Sequence, residues 1–122
     1  MNRILISICT IVVFTLSQVI NAEPILGEKV GVVLMHGKWG IPKYVSSVSN
    51  TLRRAGAIVV TPMMPWSRNR AYAKSYEDSM KEIDMAVERL RRKGAKRIFI
   101  GGHSMGANAA LGYGLVAMGW QG

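Results

Sequence analysis

Cysteine and histidine are both scarce in this sequence. The single cysteine, Cys9, excludes a disulfide within the chain. The only histidines are His36 and His103, and no histidine, aspartate or glutamate follows Ser104. A histidine or carboxylate that serves as a base for that serine would therefore have to come from before it in the chain.

Acidic residues are also few: 7 Asp and Glu stand against 16 Lys and Arg, which gives a net charge of +9. Net charge bears on association and not on fold. The basic stretch 88–97 has no interleaved aromatic platform, so we read it as a solvated helix end and expect no nucleic-acid partner. About half of the 122 residues are apolar, which predicts one globular domain.

Residues 1–22 are typical of a secretory signal peptide. Arg3 supplies the positive start, residues 4–20 are mostly apolar, and Ala22 is a small residue at the expected cleavage point. The alternative is a membrane anchor formed by residues 4–20, but the run is short and polar for a span. We predict export to the periplasm or the medium, with residues 23–122 as the folded domain and only a transient membrane contact.

Three short apolar runs predict buried parallel strands at 29–35, 57–61 and 96–100. The segments between these runs have apolar residues at helical spacing. The first helix is expected to bury Val45, Val48, Leu52 and Ala55, and the second, capped by Ser75, to bury Met80, Ile83, Val87 and Leu90. The run 107–118 predicts a helix that is buried on several sides. The fold class is α/β, a parallel sheet with helices on both faces.

The third strand runs into G-G-H-S-M-G at 101–106, the G-x-S-x-G pattern of a nucleophile elbow between strand and helix. A serine at the tip of such a turn adopts a strained backbone conformation. Glycines two residues to either side are needed because side chains there would clash. The following helix directs its N-terminus at the serine, which favours developing negative charge. Ser104 is the predicted nucleophile.

This pattern and L-M-H-G-K-W-G at 34–40 together resemble the N-terminal half of an α/β-hydrolase of the dienelactone-hydrolase or lipase/esterase-like branches, over residues 29–118. The resemblance implies a serine hydrolase that acts on a small-molecule ester or related acyl substrate, with no cofactor or metal. The implied oxyanion donors are the backbone N–H groups of Met105 and of Lys38 or Trp39.

The family's triad runs serine, then Asp or Glu, then His along the chain, and the last two are missing here. His103 adjoins the serine, where successive side chains point apart, and His36 is expected to pack the loop. Asp78 and Asp84 are expected to serve in capping and surface charge. No strand follows that could cover the outer edge of the third strand. We therefore expect a C-terminally truncated hydrolase.

The loop 62–72 should lie at the same sheet edge as Ser104. Its Trp66, Arg68, Arg70 and Tyr72, with Trp39, could line a substrate pocket and attract an anionic group; an ordinary surface loop with Trp66 packed inward is the alternative. Two other functions stay open. One is a non-catalytic remnant, and the other is an acyltransferase, because G-H-S-x-G also resembles the serine motif of malonyl-type transferases.

Overall fold

The computed structural model describes residues 28–119, so the predicted signal segment lies outside the described residues. Three parallel strands form one sheet: β1 (Val30–Met35), β2 (Ile58–Val60) and β3 (Arg97–Gly102). Their order in the sheet is β2-β1-β3, so the first strand of the sequence lies in the middle. The predicted α/β class with a parallel sheet is confirmed.

Three helices connect and follow the strands: α1 (Ser46–Arg54), α2 (Tyr76–Arg92) and α3 (Met105–Ala117). A 3-10 turn at Pro42–Val45 leads into α1. The strands carry side chains to both faces, and a core lies on each. The larger core joins β1, β2 and β3 to α2 and α3, and the smaller one places Leu52 of α1 against Val30, Val32 and Val59.

Helix α2 follows its predicted pattern closely. The Ser75 hydroxyl oxygen accepts the Asp78 N–H at 3.0 Å, which is the expected cap. Ile83, Val87 and Leu90 are buried. Met80 is only partly buried and packs against the same core. Because these residues recur at helical spacing, one apolar stripe faces the sheet and the charged residues face solvent.

The predicted buried face of α1 is wrong at one position. Val48 is 54% exposed, and Ser49 is buried instead, with its hydroxyl donating to the Ser46 carbonyl. At about 100° per residue, Ser49 lies about 40° from Val45 around the helix, whereas Val48 lies about 60° away on the opposite side. The buried face then follows Val45, Ser49 and Leu52.

The prediction for α3 is also wrong. The helix is apolar on all sides as expected, but only Gly106 and Ala109 are buried. Several large apolar side chains are exposed on it: Leu111, Leu115, Val116 and, just after it, Met118. Within residues 28–119, β3 pairs only with β1, and Phe99 on β3 is half exposed. In this part of the chain, no helix is both long and apolar enough to cross a membrane.

Candidate active site

Ser104 lies at the exposed tip of the turn from β3 to α3. Its backbone angles, φ 52° and ψ −114°, fall in a region that residues with a side chain rarely adopt. Such strain persists only where the surrounding structure enforces it. Here Asn108 donates its N–H to the Ser104 carbonyl at 3.0 Å, and Gly106 donates to the His103 carbonyl at 2.9 Å.

The two glycines of the motif allow the turn to approach the end of β1 closely. A Cβ atom on Gly102 would lie 2.7 Å from the Met35 carbonyl oxygen, and one on Gly106 would lie 2.6 Å from that same oxygen. Real Cβ atoms do not come this close to backbone atoms. The expected steric need for glycine at both positions is therefore confirmed.

The loop after β1 forms the opposite wall of a cleft of about 240 Å³ beside Ser104. Lys38, Tyr44 and His103 contribute side chains to this cleft, and Gly37 and Gly40 contribute backbone. The fold thus brings the two sequence motifs, 34–40 and 101–106, to one site. No aspartate or glutamate is among the lining residues.

The two candidate oxyanion donors of the first loop differ in their hydrogen bonds. The Trp39 N–H donates to the Trp66 carbonyl at 2.9 Å, so it is occupied. Among the described residues, the N–H groups of Lys38 and Met105 have no acceptor. Met105 is the first residue of α3, where N–H groups lack helical partners and the helix dipole is positive. Of the three candidate donors, the Lys38 and Met105 amides are therefore the two without an acceptor among the described residues.

His36 is completely buried, and both of its ring nitrogens are occupied. Its Nε2 accepts the Met64 N–H at 3.1 Å, which leaves the proton on Nδ1 to donate to the Gly37 carbonyl at 2.9 Å. Burial lowers the pKa of His36, with the Gly37 hydrogen bond opposing in part, so the ring is neutral at pH 7. The expected role of His36 in loop packing is confirmed.

The loop 62–72 is tied to the loop that carries Lys38. The Trp66 indole N–H donates to the His36 carbonyl at 2.9 Å, and the Trp66 ring is buried. The rings of Trp39 and Tyr72 meet edge to face at 5.4 Å. Trp39 and Tyr72 both have positive φ angles, of 55° and 59°. Two residues with positive φ, one on each loop, are thus in contact with each other.

The predicted substrate-binding residues separate into different roles. The Trp66 side chain is buried, and the Trp39 side chain is half exposed. The Arg68 guanidinium lies 5.8 Å over the ring of Tyr44, which lines the cleft beside Ser104. The prediction that Arg70 serves an anionic ligand is wrong, because both of its terminal nitrogens bind Glu82, at 2.6 and 2.7 Å.

The sequence reasoning missed the partner of Arg70 on α2. These hydrogen bonds lower the pKa of Glu82 and raise that of Arg70. Lys74 adds a second ion pair to Glu82 at 3.1 Å. Glu82 is one of five acidic residues on α2, and nothing in its position, twelve residues after Arg70, distinguishes it from the others. Asp84 was expected at the surface, and it accepts a hydrogen bond from the Tyr113 hydroxyl of α3.

Within residues 28–119, no group of three or more His, Cys, Asp or Glu side chains is placed to hold a metal ion. Comparison with protein-family models, with curated proteins and with solved structures finds no match to this chain. The assignment of function therefore depends on the geometry around Ser104.

Proposed function

We propose that this chain carries the nucleophile and oxyanion hole of an α/β-hydrolase-like serine hydrolase that acts on an ester or related acyl substrate. The observation that carries the proposal is the strained, exposed backbone of Ser104 between a strand and a helix N-terminus. Free amides of Lys38 and Met105 flank it. A turn with no chemical role has no need of this strain.

The chemistry follows from these groups. The Ser104 hydroxyl oxygen attacks the acyl carbon and forms a C–O bond, while a base takes its proton. The carbonyl oxygen becomes an oxyanion that accepts from the Lys38 and Met105 N–H groups. The alcohol then leaves with a proton, and water hydrolyses the acyl-serine. Lys38 and Arg68 leave the cleft positively charged, which favours a substrate with an anionic group.

The base is the component that residues 28–119 do not supply. Both ring nitrogens of His36 are occupied, and within the same residues the His103 ring lines the cleft with Ser104 but makes no hydrogen bond to the Ser104 hydroxyl. By resemblance to α/β-hydrolases, we propose that the acid and the histidine belong to a longer chain. The half-exposed Phe99 on β3 and the exposed apolar side chains of α3 support this proposal, because they resemble the interior surfaces of a larger sheet.

The test is labelling with a fluorophosphonate probe, read by mass spectrometry at Ser104. We expect the 122-residue chain to label barely above background. The same chain joined to a continuation that carries an acid and a histidine should label at Ser104. Ser104→Ala should abolish labelling, whereas Ser47→Ala, at an exposed serine of α1, should not. Strong Ser104-dependent turnover by the 122-residue chain alone would contradict the missing base and point to His103.

A non-catalytic remnant is the second candidate. The observation that favours it is that, among the described residues, no side chain is hydrogen-bonded to the Ser104 hydroxyl, while both ring nitrogens of His36 are occupied. The coding sequence downstream distinguishes the two candidates. An acidic residue and a histidine encoded there would support the hydrolase, and a stop codon directly after Gly122 would support the remnant.

Export is a separate proposal, based on the signal-like residues 1–22. Mass spectrometry of the protein recovered outside the cytoplasm should find a new N-terminus near Glu23. Intact Met1 in a membrane fraction would instead indicate an anchor.

A further inference from the structure

A second, smaller cavity lies on the Met105 side of the elbow. Its volume is about 130 Å³, and its surface is almost entirely apolar. Its lining residues come from the loop 62–74, from α2 and from the start of α3: Pro65, Trp66, Tyr72, Lys74, Tyr76, Ser79 and Met105. The Lys74 ammonium, the one charged group among them, pairs with Glu82.

The position of this cavity relates it to the reaction centre. The Met105 N–H is a proposed oxyanion donor, and Met105 is one of the residues that line the cavity. A substrate carbonyl oxygen held by that N–H places the acyl carbon beside Met105. The two substituents of that carbon then point to different sides. One side is the cleft that Lys38 and His103 line, and the other is the almost entirely apolar cavity.

The walls of the cavity are fixed by contacts on two sides. Trp66 is 2% exposed, and its indole N–H is bound to the His36 carbonyl. The Tyr76 hydroxyl donates to the Asn108 side-chain oxygen at 2.8 Å and so joins α2 to α3. Gly112 allows that approach, because a Cβ there would lie 2.9 Å from the Tyr76 hydroxyl oxygen. The cavity is therefore preformed, as small-molecule sites usually are.

We infer that this cavity binds the acyl chain of the substrate and selects short chains of about four to six carbons. The inference rests on the proposed function. An apolar cavity of ~150 Å³ is known to bind benzene, which has about six heavy atoms, and this cavity is slightly smaller. A longer chain would extend past Tyr72 and Tyr76 into solvent and gain little from burial.

The first test uses alkyl fluorophosphonates whose chain on phosphorus has about one to ten carbons. The protein is the form that labels at Ser104 in the preceding experiment. We expect the second-order rate of labelling to rise about two- to fourfold for each added methylene up to about four to six carbons and then to level off. A rate that is flat over the series, or that rises steadily to the longest chain, overturns the inference.

Tyr76 offers a matched pair of variants. Tyr76→Phe keeps the wall and loses only the hydrogen bond to Asn108, so the chain-length profile should not change. Tyr76→Ala opens the wall. Labelling by chains of eight to ten carbons should then rise roughly two- to sixteenfold relative to the four-carbon probe, the gain from one or two further buried methylenes. The same profile in both variants overturns the assignment of the wall.

A binding experiment needs no catalysis and separates the two proposals. In Ser104→Ala protein with isotope-labelled methionine methyl groups, 1-butanol should shift the Met105 methyl resonance saturably. It should shift those of Met85 and Met118, both exposed elsewhere, by far less. Saturable binding without Ser104 labelling by any probe would retain the cavity and refute the nucleophile. Labelling without binding would refute the cavity alone.

Discussion

Gly106→Ala is the substitution for which the structure makes the sharpest prediction. The new methyl group would lie 2.6 Å from the Met35 carbonyl oxygen and 2.9 Å from that of His36. Neither oxygen can turn away freely. The Met35 carbonyl accepts the His103 N–H at 3.0 Å, and the His36 carbonyl accepts the Trp66 indole N–H at 2.9 Å.

The expected magnitude combines three contributions. Overpacking of a rigid site costs about 1–3 kcal/mol. Displacing a carbonyl weakens a hydrogen bond that contributes about 0.5–1.5 kcal/mol. Gly106 lies in α3, and alanine favours the helical conformation over glycine by up to ~1 kcal/mol, which offsets part of the loss. The net loss in the free energy of unfolding should be about 1–3 kcal/mol.

Urea denaturation measures this loss. With an m-value of about 1 kcal/mol/M for a small domain, the midpoint should fall by roughly 1–3 M. Gly114→Ala is the control, because no atom lies within 4 Å of a Cβ at that position of the same helix. It should raise the free energy of unfolding by up to ~1 kcal/mol. A Gly106→Ala midpoint equal to or above that of the wild type would refute the close approach of the elbow to β1.

Two further predictions concern charge and exposed apolar surface. Hydrogen bonds from Arg70 lower the pKa of Glu82 below its ordinary 4.5. The ionised carboxylate therefore stabilises the fold fully above pH 4.5, and this stabilisation is lost as the pH falls through the lowered pKa. Glu82→Gln should therefore cost about 1–3 kcal/mol in urea unfolding at pH 7 and little at a pH below that pKa; an equal cost at both would contradict the ion pair. Phe99→Lys should reduce light scattering by the chain at 37 °C, because it places a charge on the edge strand β3. Met85→Lys on α2 should change the light scattering little. Equal effects of the two substitutions would show that the edge of β3 is not the surface through which the chains aggregate.

The local features of this fold could be read from the sequence. Ser75 marks the start of α2, Ile83, Val87 and Leu90 mark its buried face, and both follow from spacing alone. The strained turn at Ser104 was predicted because a five-residue pattern with a strand before it and a helix after it leaves few conformations.

Contacts between residues that are far apart in the sequence could not be predicted in this way. The bond from the Trp66 indole to the His36 carbonyl joins positions 30 apart, and the residue types alone do not specify it. The same holds for the choice between the Lys38 and Trp39 amides, which depends on an acceptor supplied by Trp66. The predicted burial of α3 was wrong for a different reason. An even distribution of apolar residues predicts burial on every side, but within residues 28–119 few elements pack against it.

The positive φ of Ser104 has a consequence for how this sequence changes over generations. Glycine would relax the turn, and the strain it would remove is on the order of 1–3 kcal/mol. The most stable chain would therefore be one that has lost this serine. Selection for stability alone would favour that change, and only selection for what the serine does would oppose it. A serine at this position is thus a conformational cost that selection for stability without activity would remove.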